Sequence, residues 1–281
     1  MPSPSLPPPP FDTSLDAIDQ LRSIGREFHG RGWSLGTSSN YSVVSSRAPL
    51  ELTITVSGKD KSALGRDDFV RVNAAGAPCA GSGRKSSAET LLHCLIAELV
   101  PSVGAVLHTH SVWSTILSRA DLPRGAVRIE GYEMLKGLDG IVTHDTFEEV
   151  PIFANAQDME ELAARIRARF AAADWSDPKR PPFHGFLLSG HGLYTWGRDL
   201  AEARRQIEIH EFLFEVVART RTFAGAGVAT APIAPAAAGQ TQSIQTQSIQ
   251  PQSIQPQSIQ VGTERTVPAQ ARQQQTAQRQ Q

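Results

Sequence analysis

Apolar residues repeat at three- and four-residue intervals over residues 14–31, where Leu15, Ile18, Leu21, Ile24 and Phe28 line one side of a predicted helix. Residues 51–56 alternate around β-branched side chains and stop at Ser57-Gly58, the pattern of a strand and its exit turn. Residues 67–72 read as a further short strand. Residues 86–100 open with Ser-Ser-Ala-Glu and continue apolar on one side, which predicts a helix. The apolar run 104–108 predicts a buried strand, and 111–118 a helix after it. Residues 158–173 are amphipathic, 185–188 suit a buried strand, and 199–217 predict a long helix with Ala201, Ile207, Phe212, Leu213 and Val216 on its apolar side. Strands and helices mixed in this way predict an α/β domain in which helices cover a sheet.

Both ends depart from that pattern. Residues 1–10 are a proline-rich arm, and the chain beyond about Gly225 turns Ala/Pro-rich. It then repeats Gln-Ser-Ile-Gln between Gln242 and Gln260 and ends rich in glutamine. Such segments bury too little apolar area to offset the entropy of ordering them. The expected organisation is therefore an arm over 1–10, one folded domain over 11–223 and a disordered tail over 224–281.

Charge narrows the partners. A formal net charge of −1, with no basic stripe, argues against nucleic acid and anionic membranes. No segment approaches the roughly 20 apolar residues of a membrane span, and Met1–Pro10 lacks the features of a signal peptide. Cys79 and Cys94 are too few for a disulfide framework, so a reducing, cytoplasmic setting is expected, with Cys94 a buried thiol.

The candidate chemistry lies in the histidines. His108 and His110 end the strand predicted over 104–108, and residues two apart point to the same face, about 7 Å apart at Cα. Two imidazoles placed so can converge on one cation. His191 stands between Gly190 and Gly192 after another apolar strand and supplies a third candidate ligand. Three histidines with an open fourth position are the pattern of a catalytic zinc site. His29, His184 and His210 read as surface or capping residues, His93 as a core or supporting one, and His144 is open. Polar clusters at Thr37-Ser-Ser-Asn40, Ser57-Gly58 and Ser86-Ser87 offer hydroxyls and backbone N–H groups to an anion, with Lys59 and Lys61 near the second. No Walker-type loop or dinucleotide fingerprint is present.

Taken in order, Ser38-Ser-Asn40, Ser57-Gly58, Ser87-Ala-Glu89, His108-Thr-His110 and Gly190-His-Gly192 resemble the class II aldolase family of metal-dependent sugar-phosphate enzymes. The likeness spans about Leu15 to Ala218. It implies a three-layer α/β/α sandwich, a homotetramer with its site near a subunit interface, and one zinc ion per subunit on His108, His110 and His191. Three stretches are similar to one dehydratase branch of that family: Ser57-Gly-Lys-Asp-Lys61, Gly131-Tyr-Glu-Met-Leu-Lys-Gly-Leu138 and His191-Gly-Leu-Tyr-Thr-Trp-Gly197. That branch acts in methionine salvage, removing water from 5-methylthioribulose 1-phosphate to give 2,3-diketo-5-methylthiopentyl 1-phosphate.

The resemblance assigns Glu133 as the catalytic acid/base, a role that calls for partial burial to raise its pKa. It places substrate or phosphate contacts at Ser39, Asn40, Ser57, Gly58, Ser87, Thr90 and Lys136. Glu89 stands where class II aldolases proper keep a glutamate base, and is an auxiliary candidate or a helix-start residue favoured by the dipole. Eukaryotic members of the branch carry a substrate-contacting cysteine where this chain has Thr90, and Cys94 lies four residues too late for that role. The alternative reading is an aldolase or 4-epimerase acting on another ketose phosphate, which Glu89 favours. A catalytically inactive relative serving as a cytoskeletal or scaffolding module is a further reading, opposed by the intact His/His/His/Glu set.

Overall fold

The computed structural model describes residues 15–225, apart from 80–83, 88, 101 and 178. The proline-rich arm and the tail beyond Gly225 lie outside the described residues. Among the described residues, eight strands form one sheet: β1 (Asn40–Arg47), β2 (Leu50–Thr55), β3 (Phe69–Asn73), β4 (Ala105–Thr109), β5 (Ala126–Glu130), β6 (Phe147–Phe153), β7 (Gly185–Leu188) and β8 (Leu193–Gly197), in the order β3-β2-β1-β4-β8-β7-β6-β5. Every pairing is antiparallel except β6 with β7.

Five α-helices among the described residues cover the two faces: α1 (Leu15–Gly30), α2 (Thr90–Leu99), α3 (Val112–Ala120), α4 (Met159–Ala171) and α5 (Leu200–Gly225). Alternation along β4 shows how the layers divide. Ala105 and Leu107 pack with Leu21, Ile24 and Phe28 of α1, Leu117 of α3 and Leu213 and Phe214 of α5. Val106, between them, packs on the other face with Leu92 and Ile96 of α2 and Leu162, Ile166 and Phe170 of α4. Each of these large side chains, fully buried, contributes roughly 1.5–3 kcal/mol of transfer free energy. The result is the expected α/β/α sandwich, and it puts every second residue of β4 under α2.

Some expectations need correction. The helix expected over 86–100 begins at Thr90: Ser86 instead bridges Val56, and Glu89 at the N-cap position makes no side-chain capping bond. On α5, Phe212 is 47% exposed and Ala201 is exposed, while Ala203, Ile207, Leu213, Phe214 and Val217 are buried. The apolar stripe is displaced because polar residues, Glu202, Gln206, His210 and Glu211, occupy the buried side. His184 and His210 are likewise buried rather than at the surface; His184 is paired with Glu148 at 3.0 Å. Strands β1, β5, β6 and β8 were not expected, and β1 explains why: its buried positions include Asn40 and Ser42, polar residues that mask a central strand.

Candidate metal centre

β4 delivers His108 in register beside Asn40 of β1 and Tyr194 of β8, on the face covered by α2. His110 follows two residues later, its backbone N–H bonded to the Trp33 carbonyl at 2.8 Å. Ser111 ends the extended run by N-capping α3, accepting the Ser114 N–H at 3.0 Å. The third histidine rides the β7–β8 turn. Gly190 there has φ 66°, which a side chain would strain, and a Cβ at Gly192 would sit 2.0 Å from the Thr109 carbonyl oxygen. Both glycines let the turn lie against the end of β4, and Thr115 Oγ1 donates to the His191 carbonyl at 3.0 Å.

The three imidazoles converge. His108 and His110 Nε2 are 2.7 Å apart, and His110 and His191 Nε2 are 3.0 Å apart. Glu89 closes the set, with one oxygen 3.0 Å from His191 Nε2 and the other 3.8 Å from His108 Nε2. His108 Nδ1 donates to the Leu193 carbonyl at 2.9 Å, which leaves its Nε2 as a bare lone pair aimed at the cluster. Its ring is stacked on Tyr194 at 3.9 Å. These four side chains bring their ligand atoms within 4.8 Å of one another. Neutral nitrogens crowded so tightly around a carboxylate suit a cation between them, so the residues fit a divalent metal.

Electrostatics agree with that fit. Burial, followed by the neighbouring His110, holds His108 well below the usual imidazole range. Burial, followed by His191, lowers His110 to about 4. Both are therefore neutral ligands near pH 7. Burial pushes the Glu89 carboxyl up, but the hydrogen bonds to His191 and the Asn40 amide and the pull of the neighbouring imidazoles outweigh it and hold it well below normal.

A cavity of ≈ 420 Å³ opens onto this cluster. Ser39, Asn40, Ser57, Gly58 and Ser87, all expected as anion contacts, line it together with Glu89, His110 and His191. Ser39 takes a left-handed backbone, φ 70°, while buried, a strain of order 1–3 kcal/mol that surrounding structure must hold. Three expected residues lie elsewhere. Thr90 is buried at the start of α2, outside the cavity lining. Glu133 and Lys136 are exposed and bonded to each other at 2.5 Å, with His144 3.3 Å from the second Glu133 oxygen. The Lys136 hydrogen bond keeps the Glu133 carboxyl below its ordinary value. The partial burial expected of this acid/base is thus not present within the chain. Sequence reasoning also missed Lys85, Asn155, Gln157 and Met159 on the cavity wall; Asn155 and Gln157 follow β6, which was not recognised.

Comparison with known proteins places this arrangement. The class II aldolase and adducin N-terminal domain matches residues 19–218. A protein of Pseudomonas fluorescens named methylthioribulose-1-phosphate dehydratase is 46% identical over 210 residues, covering 75% of this chain and 96% of that protein. Its namesake in Pseudomonas syringae pv. tomato is 48% identical over 203 residues, covering 72% and 94%. Among solved structures, L-fuculose-1-phosphate aldolase from Thermus thermophilus superposes with a TM-score of 0.58 at 22% identity, over 76% of this chain and 99% of the other, a likeness of fold. With its histidines converged under a sheet of that topology and a family match spanning nearly all its described residues, the chain belongs to the class II aldolase family.

Proposed function

We propose that this protein is a hydro-lyase that dehydrates 5-methylthioribulose 1-phosphate to 2,3-diketo-5-methylthiopentyl 1-phosphate, a step of methionine salvage. The observation that carries the reading is the joining of a three-histidine centre to a cavity lined with serines, Asn40 and Gly58, in a chain 46% identical to a dehydratase of that name along nearly its full length.

His108, His110 and His191 would hold one divalent ion per subunit, zinc in this proposal. Bound there, the ion supplies Lewis-acid polarisation of the C2 carbonyl, which acidifies the C3 proton. Ser39, Asn40, Ser57, Gly58 and Ser87 anchor the phosphate and so position C3. Thr90 and Lys136 complete the proposed substrate contacts. Glu133 removes the C3 proton; the electrons released expel the C4 hydroxyl, which leaves as water after receiving a proton from the same carboxyl. The enol left across C3 and C4 then returns to a C3 ketone.

Glu133 does not line the cavity of its own chain, so this role requires that it serve the site of a neighbouring subunit. A homotetramer with its sites at subunit interfaces meets that requirement, and the buried interface would supply the pKa elevation that the exposed side chain lacks. The proposed setting is the cytoplasm; no described helix is long and apolar enough to cross a membrane.

A second reading has one observation in its favour. Glu89 sits within the cluster, where an aldolase or 4-epimerase would use it as the base. Incubation with 5-methylthioribulose 1-phosphate and identification of the product decides between them. The diketone is expected, and carbon–carbon cleavage or epimerisation would overturn the dehydratase assignment.

A further inference from the structure

Beneath the cavity, α2 and β1 share four polar side chains, Glu89, His93, Asn40 and Ser42, of which the proposed dehydration uses only Asn40. Glu89 and His93 stand four residues apart at the start of α2, hence on one face of the helix. Asn40 of β1 lies between them. Its Nδ2 donates to Glu89 Oε2 at 2.7 Å, and its Oδ1 lies 2.5 Å from His93 Nε2. Two residues along β1, Ser42 Oγ lies 2.8 Å from His93 Nδ1. His93 and Ser42 are wholly buried, and the Tyr194 ring edge packs on the imidazole at 5.7 Å.

The chemistry of these partners orders every proton. A carboxylate only accepts, so the Asn40 amide nitrogen must face Glu89. Its oxygen must then accept, which requires the proton of His93 to be on Nε2. Nδ1 is left as an acceptor for the Ser42 hydroxyl. If His93 carried its proton on Nδ1, Asn40 would face a bare nitrogen and would turn its amide away from Glu89.

We propose that His93 is a positioning residue, which fixes the amide of Asn40 and through it aims the Glu89 carboxylate at the metal centre, with Ser42 setting its tautomer. The inference rests on the reading of Glu89 as part of that centre. Full burial also holds His93 at about 3, so the ring stays neutral and the chain of bonds does not change with pH near neutrality.

The first test needs no substrate. Nitrogen NMR of the metal-loaded full chain should show His93 protonated at Nε2 and bare at Nδ1; protonation at Nδ1 would overturn the proposal. The second separates positioning from packing. Gln at this position can still present a donor near the place of Nε2, whereas Asn is too short. His93→Gln should keep kcat within about threefold, and His93→Asn should lose about tenfold to a hundredfold in kcat with KM nearly unchanged. Equal activity in the two variants, or a loss appearing only in KM, would overturn it. If the unsubstituted protein fails to turn over 5-methylthioribulose 1-phosphate, the functional reading falls, and the NMR result still decides the role of His93.

Discussion

Two regions carry the acidic side chains proposed for chemistry, and they are built in opposite ways. The His108–His110–His191–Glu89 cluster is held by strands, a tight turn and a helix start, with His108 buried and its tautomer set by a backbone carbonyl. The Glu133–Lys136–His144 cluster is an exposed ion pair on a short helical turn, with a histidine from the following loop beside it. The first is preorganised before any ligand arrives, because burial forbids alternatives. The second owes its geometry to surface ion pairs, typically worth 0–1 kcal/mol, and becomes an acid/base site only when something covers it. Within one chain the proposed metal end is therefore finished and the proposed proton-transfer end is not.

Breaking the finished end should cost most. His110→Ala is expected to remove the bound metal along with at least about a thousandfold of activity. Metal analysis and steady-state rates check this, and one tightly held ion per chain in the variant would refute the ligand assignment. Glu133→Gln probes the other region. It should reduce kcat by about a hundredfold to ten-thousandfold while leaving metal content intact. If Glu89→Gln abolished turnover and Glu133→Gln did not, the base would belong to the buried cluster and the contrast would collapse.

A third substitution tests the packing that makes the first region rigid. Gly192→Ala would force a Cβ against the Thr109 carbonyl, and should destabilise the fold by about 1–3 kcal/mol and weaken metal binding. Thermal melting and metal titration give the two readouts. Melting unchanged from the parent would show that the turn has room to move.

The rear of the buried cluster titrates. Glu211 on α5 accepts from Thr109 Oγ1 at 3.1 Å, and burial raises it from 4.5 to about 7. A carboxyl raised in the folded state stabilises below its unfolded pKa and loses that contribution as pH rises through the folded one. Stability should therefore fall between about pH 4.5 and about 7, by an amount of order 3 kcal/mol at most. Glu211→Gln should flatten the dependence of Tm on pH over that interval. An unchanged slope would show the carboxyl to be ionised throughout. Beside Glu133, Lys136 should matter less. Lys136→Met removes the hydrogen bond that lowers the Glu133 carboxyl, so the acid limb of the pH–rate profile should move to higher pH, with a rise in KM from the lost substrate contact.

Much of this was legible in the chain. His108-Thr-His110 and Gly190-His-Gly192 carry their meaning locally, since strand alternation and glycine freedom are properties of neighbours in sequence. The long helices and the α/β class followed from periodicity for the same reason. Where polar residues are buried, periodicity misleads. Ser42 hid β1, and His210 and Glu211 displaced the expected face of α5, leaving Phe212 in solvent.

The sequence by itself determined which groups this protein has to work with: three histidines, two candidate carboxylates and a set of serines at the ends of predictable elements. Tertiary structure decided which of them meet. Glu89, read from sequence as an auxiliary group or a helix-start residue, stands among the candidate ligands, while Glu133, read as the catalytic acid/base, faces solvent. The reason is physical. A side chain's neighbours along the chain set its direction, but its distance to a residue remote in sequence, as His191 is from Glu89, depends on how sheet and helices pack. So does its burial, and with it the pKa on which its chemistry depends.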